Sequence, residues 1–278
     1  MGEFDRVNLK SLNRLIRLYI AEGFGTEARG LIKKYGSRLV HPEILRDMAE
    51  LLETGRGTKG NSLEKQKACP GQLYFWATLA QTGRLHPTPK HAAALLHVLA
   101  DLPVDIRART GAILLSRLTG SGEIGLAKKI VATIERAPGI RPPGYEFEMA
   151  RLLLRTDPPE TSQQTLTNLA FGHGPQSGKA LALLLEEGRR RNWKISDTIL
   201  SFAESYGFQY KSQSLGPRLV KDIILARVSR HEQSKAFKLL AFYARSGAIP
   251  QEERQKLSRI IFQSYDLKVL NLASWNSP

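Results

Sequence analysis

Cysteine is almost absent from this sequence of 278 residues, which contains Cys69 alone. A single thiol excludes an intramolecular disulfide and any zinc site built from cysteine ligands. A catalytic thiol would also need a neighbouring base, whereas Cys69 stands in the segment 68–71, Ala-Cys-Pro-Gly, which is typical of the start of a helix. We therefore interpret Cys69 as a small buried residue.

Long apolar runs are also missing. The longest, 92–102 and 180–185, fall far short of the roughly 20 residues that a membrane-spanning helix needs, so no transmembrane segment is predicted. The opening residues 1–4, Met-Gly-Glu-Phe, lack every feature of a signal peptide and are interpreted as a cloning remnant ahead of a fragment. Since a removed N-terminus could have held a signal or an anchor, the compartment stays open.

Strand patterns are scarce, and apolar residues recur instead at the spacing of an amphipathic helix. The first group on one helical face is Leu12, Leu15, Ile16, Tyr19 and Ile20. A second group follows the break at 23–25, and it consists of Ala28, Leu31, Ile32 and Tyr35. Two such groups joined by a glycine-rich break predict a helical hairpin.

The same pattern continues along the chain, with short connections that carry Gly or Pro. Further helices are predicted at 43–53, 72–82, 90–100, 106–118, 124–137, 145–154, 160–171, 176–191, 196–206, 217–230, 233–246 and 251–265. We expect an all-α protein with a helical-repeat segment at 5–139, a second at 140–268 continuous with it, and a tail at 269–278. Trp275 in that tail either caps the last helix or docks elsewhere.

Two hairpins share a finer pattern of a large apolar residue, a second large residue, Gly and Ala. Its members are Leu15, Tyr19, Gly23 and Ala28, and then Leu114, Leu118, Gly122 and Ala127, with Pro138 where such a unit ends. Partial copies are Phe75, Leu79, Gly83; Ala180, Leu184, Gly188; and Leu239, Tyr243, Gly247. This pattern resembles the tetratricopeptide repeat.

The resemblance implies a right-handed superhelix of stacked antiparallel hairpins that binds a partner protein. In that fold the apolar residues fill the hairpin interface, Gly keeps the turn tight and Ala lets the second helix approach closely. The intervals between the glycines are 60, 39, 66 and 59 residues, so a uniform period is absent and any array is degenerate. The alternative is that generic helical hairpins produce this spacing by chance.

Basic residues are in excess, 41 against 26 acidic ones, which gives a formal net charge of +15. The excess is strongest between Arg189 and Arg259, where 15 basic residues face 6 acidic ones. The predicted partner-binding residues are Arg189, Arg190, Arg191, Lys194, Arg218 and Lys221. We expect them to contact an acidic or helical segment of a partner protein, since opposite charge speeds association.

Nucleic acid is the alternative partner, because cations and aromatic rings together bind single strands by charge and stacking. The aromatic residues of the basic region are Trp193, Tyr206, Phe208, Tyr210 and Tyr243.

The sequence offers decoys for catalysis but no convincing active site. Residues 120–125 match the dinucleotide-binding Gly pattern, yet no strand precedes them. The glycine-rich segment 55–62 lacks the spacing of a phosphate-binding loop and is predicted to be a mobile loop. The six histidines lack the spacing of metal ligands. We predict a non-enzymatic protein without cofactor or metal.

One further reading concerns Glu148, because helical superhelices also occur as accessory domains of lytic transglycosylases, whose catalytic acid is a single glutamate. The sequence around Glu148 does not resemble a lysozyme-like segment. An accessory domain of a cell-wall enzyme is therefore the least favoured of the three functional hypotheses.

Overall fold

The computed structural model of the chain is built of α-helices joined by short connections. It describes residues 7–69, 71–136, 139, 141–142, 144–156, 159–172, 174–245 and 249–275, with the backbone alone at 159 and 266–275. Within these ranges there is no β-strand, and the prediction of an all-α protein is confirmed. The predictions at 1–4, Pro138, His173, Gly247 and the Trp275 side chain lie outside the described residues.

Fourteen α-helices are present in the described part of the chain, with 3-10 turns at Gly36–Arg38 and Glu64–Ala68. They are α1 Leu9–Glu22, α2 Gly25–Tyr35, α3 Pro42–Thr54, α4 Gln72–Ala80, α5 Pro89–Asp101, α6 Val104–Ser121, α7 Ile124–Glu135, α8 Tyr145–Thr156, α9 Pro159–Phe171, α10 Ser177–Arg191, α11 Asp197–Gln209, α12 Leu215–Ser229, α13 Gln233–Arg245 and α14 Gln251–Trp275. No helix among the described residues is both long and apolar enough to cross a membrane.

The chain divides into two units, 1–155 and 156–278. In the first unit α2 packs against α1 and α3, and α6 contacts α1, α4, α5 and α7. Completely buried side chains from these helices, such as Ile16, Phe75 and Leu114, form one core. The contact of α1 with α6 departs from a linear repeat array, in which each hairpin touches only its neighbours.

The second unit is arranged differently, as three successive hairpins. The pairs α9 with α10, α11 with α12 and α13 with α14 pack together, and α12 also contacts α10, α13 and α14. The second helices of the three hairpins therefore form one row, α10, α12, α14. Buried residues of this row and of α13 make the core at its C-terminal end, among them Val220, Leu240 and Ile261.

The first unit extends through α8. The two units separate at 155/156, at the end of α8. The physical reason is α8, whose Tyr145 is completely buried in the core of the first unit. The Tyr145 hydroxyl also donates a hydrogen bond to Glu135 Oε1 at 3.2 Å.

The repeat-like positions mostly lie where helices meet. Gly23 ends α1 with φ 81° and Gly122 ends α6 with φ 85°, a left-handed conformation that glycine adopts readily. The fully buried residues of the two sets are Ala28, Ala127, Leu114 and Leu118. Tyr19 is half-buried.

Leu15 differs from the expectation that it fills the hairpin interface, since it is 38% exposed. The buried stripe of α1 is Leu12, Ile16 and Ile20, spaced by four residues. Leu15 lies about 100° around the helix from Ile16 and so falls at the edge of the stripe.

Gly188 also differs from its expected place in a turn. It lies inside α10, which ends at Asn192 in the left-handed conformation. A Cβ atom at Gly188 would come within 2.7 Å of Ile195 Cδ1, so this glycine permits close approach of the chain that follows α10.

We expect the substitution Ala127→Leu to lower the free energy of unfolding by about 1–3 kcal/mol, because the added methyl groups have no space between packed helices. Urea denaturation followed by circular dichroism measures the change. Ala132→Leu is the matched control, since Ala132 is exposed on the same helix, and its effect should stay within about 0.5 kcal/mol. Equal effects of the two substitutions would contradict this account of α7.

Candidate interaction surfaces

The six predicted partner-binding cations lie on or beside two helices that pack together. Arg189, Arg190 and Arg191 form the last turn of α10, and Lys194 follows its end. Arg218 and Lys221 lie in the first two turns of α12, which contacts α10. We call these six residues the basic ridge.

Four residues of the ridge are engaged in ion pairs. Glu187 is buried and accepts hydrogen bonds from Arg190 Nη2 at 2.6 Å and from Arg191 Nε at 2.8 Å. Burial by itself would raise the pKa of Glu187, but the hydrogen bonds from Arg191 and Arg190 outweigh it and hold the pKa below its ordinary value. This triad ties the end of α10 together.

The two cations of α12 pair with carboxylates of its neighbours in the row. Arg218 Nη2 lies 2.6 Å from Glu186 Oε2 of α10, and Lys221 Nζ lies 2.6 Å from Glu253 Oε1 of α14. Ionic contacts therefore join all three helices α10, α12 and α14.

Arg189 and Lys194 are the two ridge residues that remain exposed without a carboxylate partner among the described residues. The count from sequence overstated the free charge, because it began at Arg189 and left out Glu186 and Glu187 one turn earlier. Helical neighbours at three and four residues decide pairing.

A buried carboxylate lies beneath the ridge. Asp222 of α12 is 6% exposed, and its Oδ2 atom has no hydrogen-bond partner among the described residues. Burial raises its pKa to about 6, although Arg218, Arg189 and Lys221 act in the opposite direction. Sequence alone could not identify it, because Asp222 looks like one more charge in a mixed helix.

The aromatic residues of the basic region do not form a row of exposed rings. Tyr243 is buried, and its hydroxyl donates to the Glu204 carbonyl at 3.3 Å. Tyr206 and Tyr210 stack on each other with centroids 5.7 Å apart, and both are half-buried. Trp193 is also half-buried, with the Arg191 guanidinium 5.8 Å from its ring.

Phe208 is the exception among these five aromatic residues. It is 53% exposed, and Lys211 Nζ lies 4.8 Å from its ring centroid. One exposed ring beside one cation offers a single stacking site. Proteins that bind single-stranded nucleic acid stack successive bases on several aromatic rings.

The first unit contains an open apolar groove that the sequence did not indicate. Its volume is about 480 Å³, and its wall is formed by side chains of α1, α3, α4 and α6 and of the turn before α3. We call it the first-unit groove. Val40 and Leu73 line it and remain 70% and 40% exposed.

Two sequence features could have pointed to the groove. Helix α4 is apolar around most of its circumference, which is typical of a helix contacted on several sides. The second feature is the pair Val40 and His41 in the turn before α3, an apolar residue followed by a histidine. In the structure His41 has a φ of 53°. Histidine is one of the few residues enriched in this left-handed region.

The catalytic decoys are engaged in structural contacts. The backbone N–H groups of Ser62 and Leu63 donate to Asp47 Oδ2 at 2.5 and 3.3 Å. The glycine-rich segment 55–62, which was predicted to be a mobile loop, is therefore anchored at its C-terminal end. Glu148 pairs with Arg151 at 2.6 Å.

Residues 120–125 connect α6 to α7, with a helix on each side where the dinucleotide motif needs a strand before it. Cys69 is half-buried, which corrects the prediction that it is a buried residue. No cluster of three or more metal-ligating side chains occurs among the residues that the structure describes.

Comparisons with protein-family models, with curated proteins and with solved structures gave no match. A functional proposal for this chain therefore rests on the geometry and charge of its own surfaces.

Asp222 makes stability depend on pH. As the pH rises from 3.8 towards 6, the unfolded chain loses the Asp222 proton before the folded protein does, so stability falls through this window. The loss, of about 2–3 kcal/mol, then persists at neutral pH. Asp222→Asn should raise the free energy of unfolding at pH 7 by about 1–3 kcal/mol and flatten its slope between pH 4 and 6, measured by urea denaturation.

Asp197→Asn is the control with the opposite sign. The hydrogen bond from Arg230 lowers the pKa of Asp197, so its ionised form is favoured in the folded state. Removing that charge should not stabilise the protein at neutral pH. A gain in stability from both substitutions would show that burial of Asp222 is not the cause.

Proposed function

We propose that this chain is a non-enzymatic protein-interaction scaffold that presents a basic helical surface to an acidic partner protein. The observation that carries the proposal is the basic ridge on α10 and α12, where Arg189 and Lys194 are exposed without a carboxylate partner in the described part of the chain. In this proposal the three hairpins of the second unit act as a degenerate, tetratricopeptide-like solenoid whose stacked helices hold the ridge in place.

The paired cations of the ridge can take part as well. The pair of Arg218 with Glu186 is exposed on both sides, with 54% and 44% of the two side chains accessible. Exposed pairs of this kind contribute only about 0–1 kcal/mol. A partner carboxylate can therefore replace Glu186 at little cost, whereas the buried Glu187 keeps Arg190 and Arg191 oriented.

Positive charge on one surface acts first on the rate of encounter. Opposite charge steers an acidic partner towards the ridge and raises the association rate more than it strengthens the final complex. Nucleic acid would be attracted in the same way, but it would also need stacking partners, and Phe208, at 53%, is the most exposed of the five aromatic residues of the basic region. We therefore favour a protein partner.

The double substitution Arg189→Glu with Lys194→Glu tests the ridge. We expect it to lower the association rate of a fluorescent glutamate-rich helical peptide roughly three- to tenfold at low salt. Stopped-flow fluorescence measures the rate. Lys33→Glu with Lys128→Glu is the matched control, because these exposed cations lie in the first unit and the change in net charge is the same.

A fluorescent single-stranded oligonucleotide, titrated across salt concentrations, distinguishes the alternative partner. Saturable binding that survives physiological salt would replace the proposal with a nucleic-acid function, and the salt slope would give the number of phosphates neutralised. Equal losses of rate in the ridge variant and the control variant would show that net charge alone attracts the peptide.

A further inference from the structure

The first-unit groove is large and open. Its volume is about 480 Å³, and an occupant would displace water from it. The floor of the groove is apolar, with Ile20 of α1, Leu45 and Leu52 of α3, and Trp76 of α4. Transfer of water from such a surface to bulk is the general driving force of association.

The mouth of the groove extends beyond the cavity itself. Val40 and Leu73 are 70% and 40% exposed. Met48, which also lines the groove, has a flexible thioether that adapts to different shapes. A small ligand is usually buried over 70–90% of its surface. Exposed apolar lips favour an occupant long enough to cover them.

Charge on the rim has one sign. The polar residues that line the groove are Arg17, His41 and Gln72, and no carboxylate is among the lining residues. Arg17 Nε donates to Asn13 Oδ1 at 3.1 Å, which leaves its two Nη groups as donors. His41 Nδ1 lies 3.6 Å from Glu43 Oε1, a carboxylate of the same turn. Arg17 is therefore the main anchor for an anion.

We propose that the first-unit groove binds an amphipathic helix of a partner protein, with apolar side chains inserted into the groove and a carboxylate paired with Arg17. This inference rests on the proposed function, in which the partner is an acidic protein, and it assigns that partner a second contact. A helix supplies apolar anchors at i, i+3, i+4 and i+7 on one face. An extended partner segment could not add to a sheet here, because the described residues contain no β-strand with which it could pair.

Three fluorescent peptides test the proposal by anisotropy at physiological salt. The first is an alanine-based helical peptide with Leu at i, i+3, i+4 and i+7 and Glu at its ends, the second has Lys in place of Glu, and the third has Pro in its middle. We expect the Glu peptide to bind the full chain at least about tenfold more tightly than either of the others, because it alone has both the helix and the carboxylates.

Substitutions at the groove locate the site. Val40→Glu and Leu73→Glu should each lower affinity for the Glu peptide about tenfold or more, since a carboxylate would then occupy the apolar mouth. Leu18→Glu is the control, because Leu18 is exposed on α1 but does not line the groove. It should change affinity less than about twofold.

Charge reversal tests the anchor separately. Arg17→Glu should reverse the preference, so that the Lys peptide binds better than the Glu peptide, a gain that an unfolded variant could not show. Arg14→Glu, one turn earlier on α1 and outside the groove, should retain the original preference. Unchanged preference in Arg17→Glu would remove the carboxylate contact.

The ridge and the groove can fail independently. Equal binding of the three peptides, or equal losses in Val40→Glu and Leu18→Glu, would overturn the groove as a helix-binding site while leaving the ridge intact. If the peptides bind the groove as expected but the association rate is unchanged in the Arg189→Glu, Lys194→Glu variant, the ridge is instead excluded as a contact with the partner.

Discussion

Burial of one apolar stripe per helix against neighbouring helices is the interaction on which this structure depends. Most of its helices have 9–15 residues, a length at which an isolated helix is marginal in water. Each therefore needs a neighbour. In the first unit α6 contacts four other helices, and in the second unit α12 contacts four as well. Residues of both helices, such as Leu114 and Ile223, are completely inaccessible to solvent.

The same packing decides which charges are free. Helix α12 brings Arg218 and Lys221 within ion-pair distance of Glu186 and Glu253 on the two flanking helices. It also encloses Asp222, whose carboxylate lies beneath the same cations. In the folded unit, most of the basic ridge is internally balanced, and Arg189 with Lys194 carries the unbalanced part.

In the proposed function, the basic ridge and the first-unit groove would act at different steps of binding. Exposed unpaired cations act over a Debye length of about 10 Å and so influence encounter. An apolar groove acts only at contact and so influences the lifetime of the complex. Association through both would be sensitive to salt in its rate and to apolar substitutions in its dissociation.

Periodicity in the sequence determined the all-α fold, most helix positions and the glycine turns at Gly23 and Gly122, because these depend on interactions within a few residues. It also identified Ala28 and Ala127 as small residues, which are buried where helices approach closely. The exposed place of Leu15, the boundary after α8, the pairing of the ridge and the groove at Val40 and Leu73 all depend on which helices become neighbours. The contact of α1 with α6 joins residues that lie far apart in the chain, and no local spacing records such a contact. Only the tertiary structure decided the exposure of Leu15, the end of the first unit, the ion pairs of the ridge and the groove.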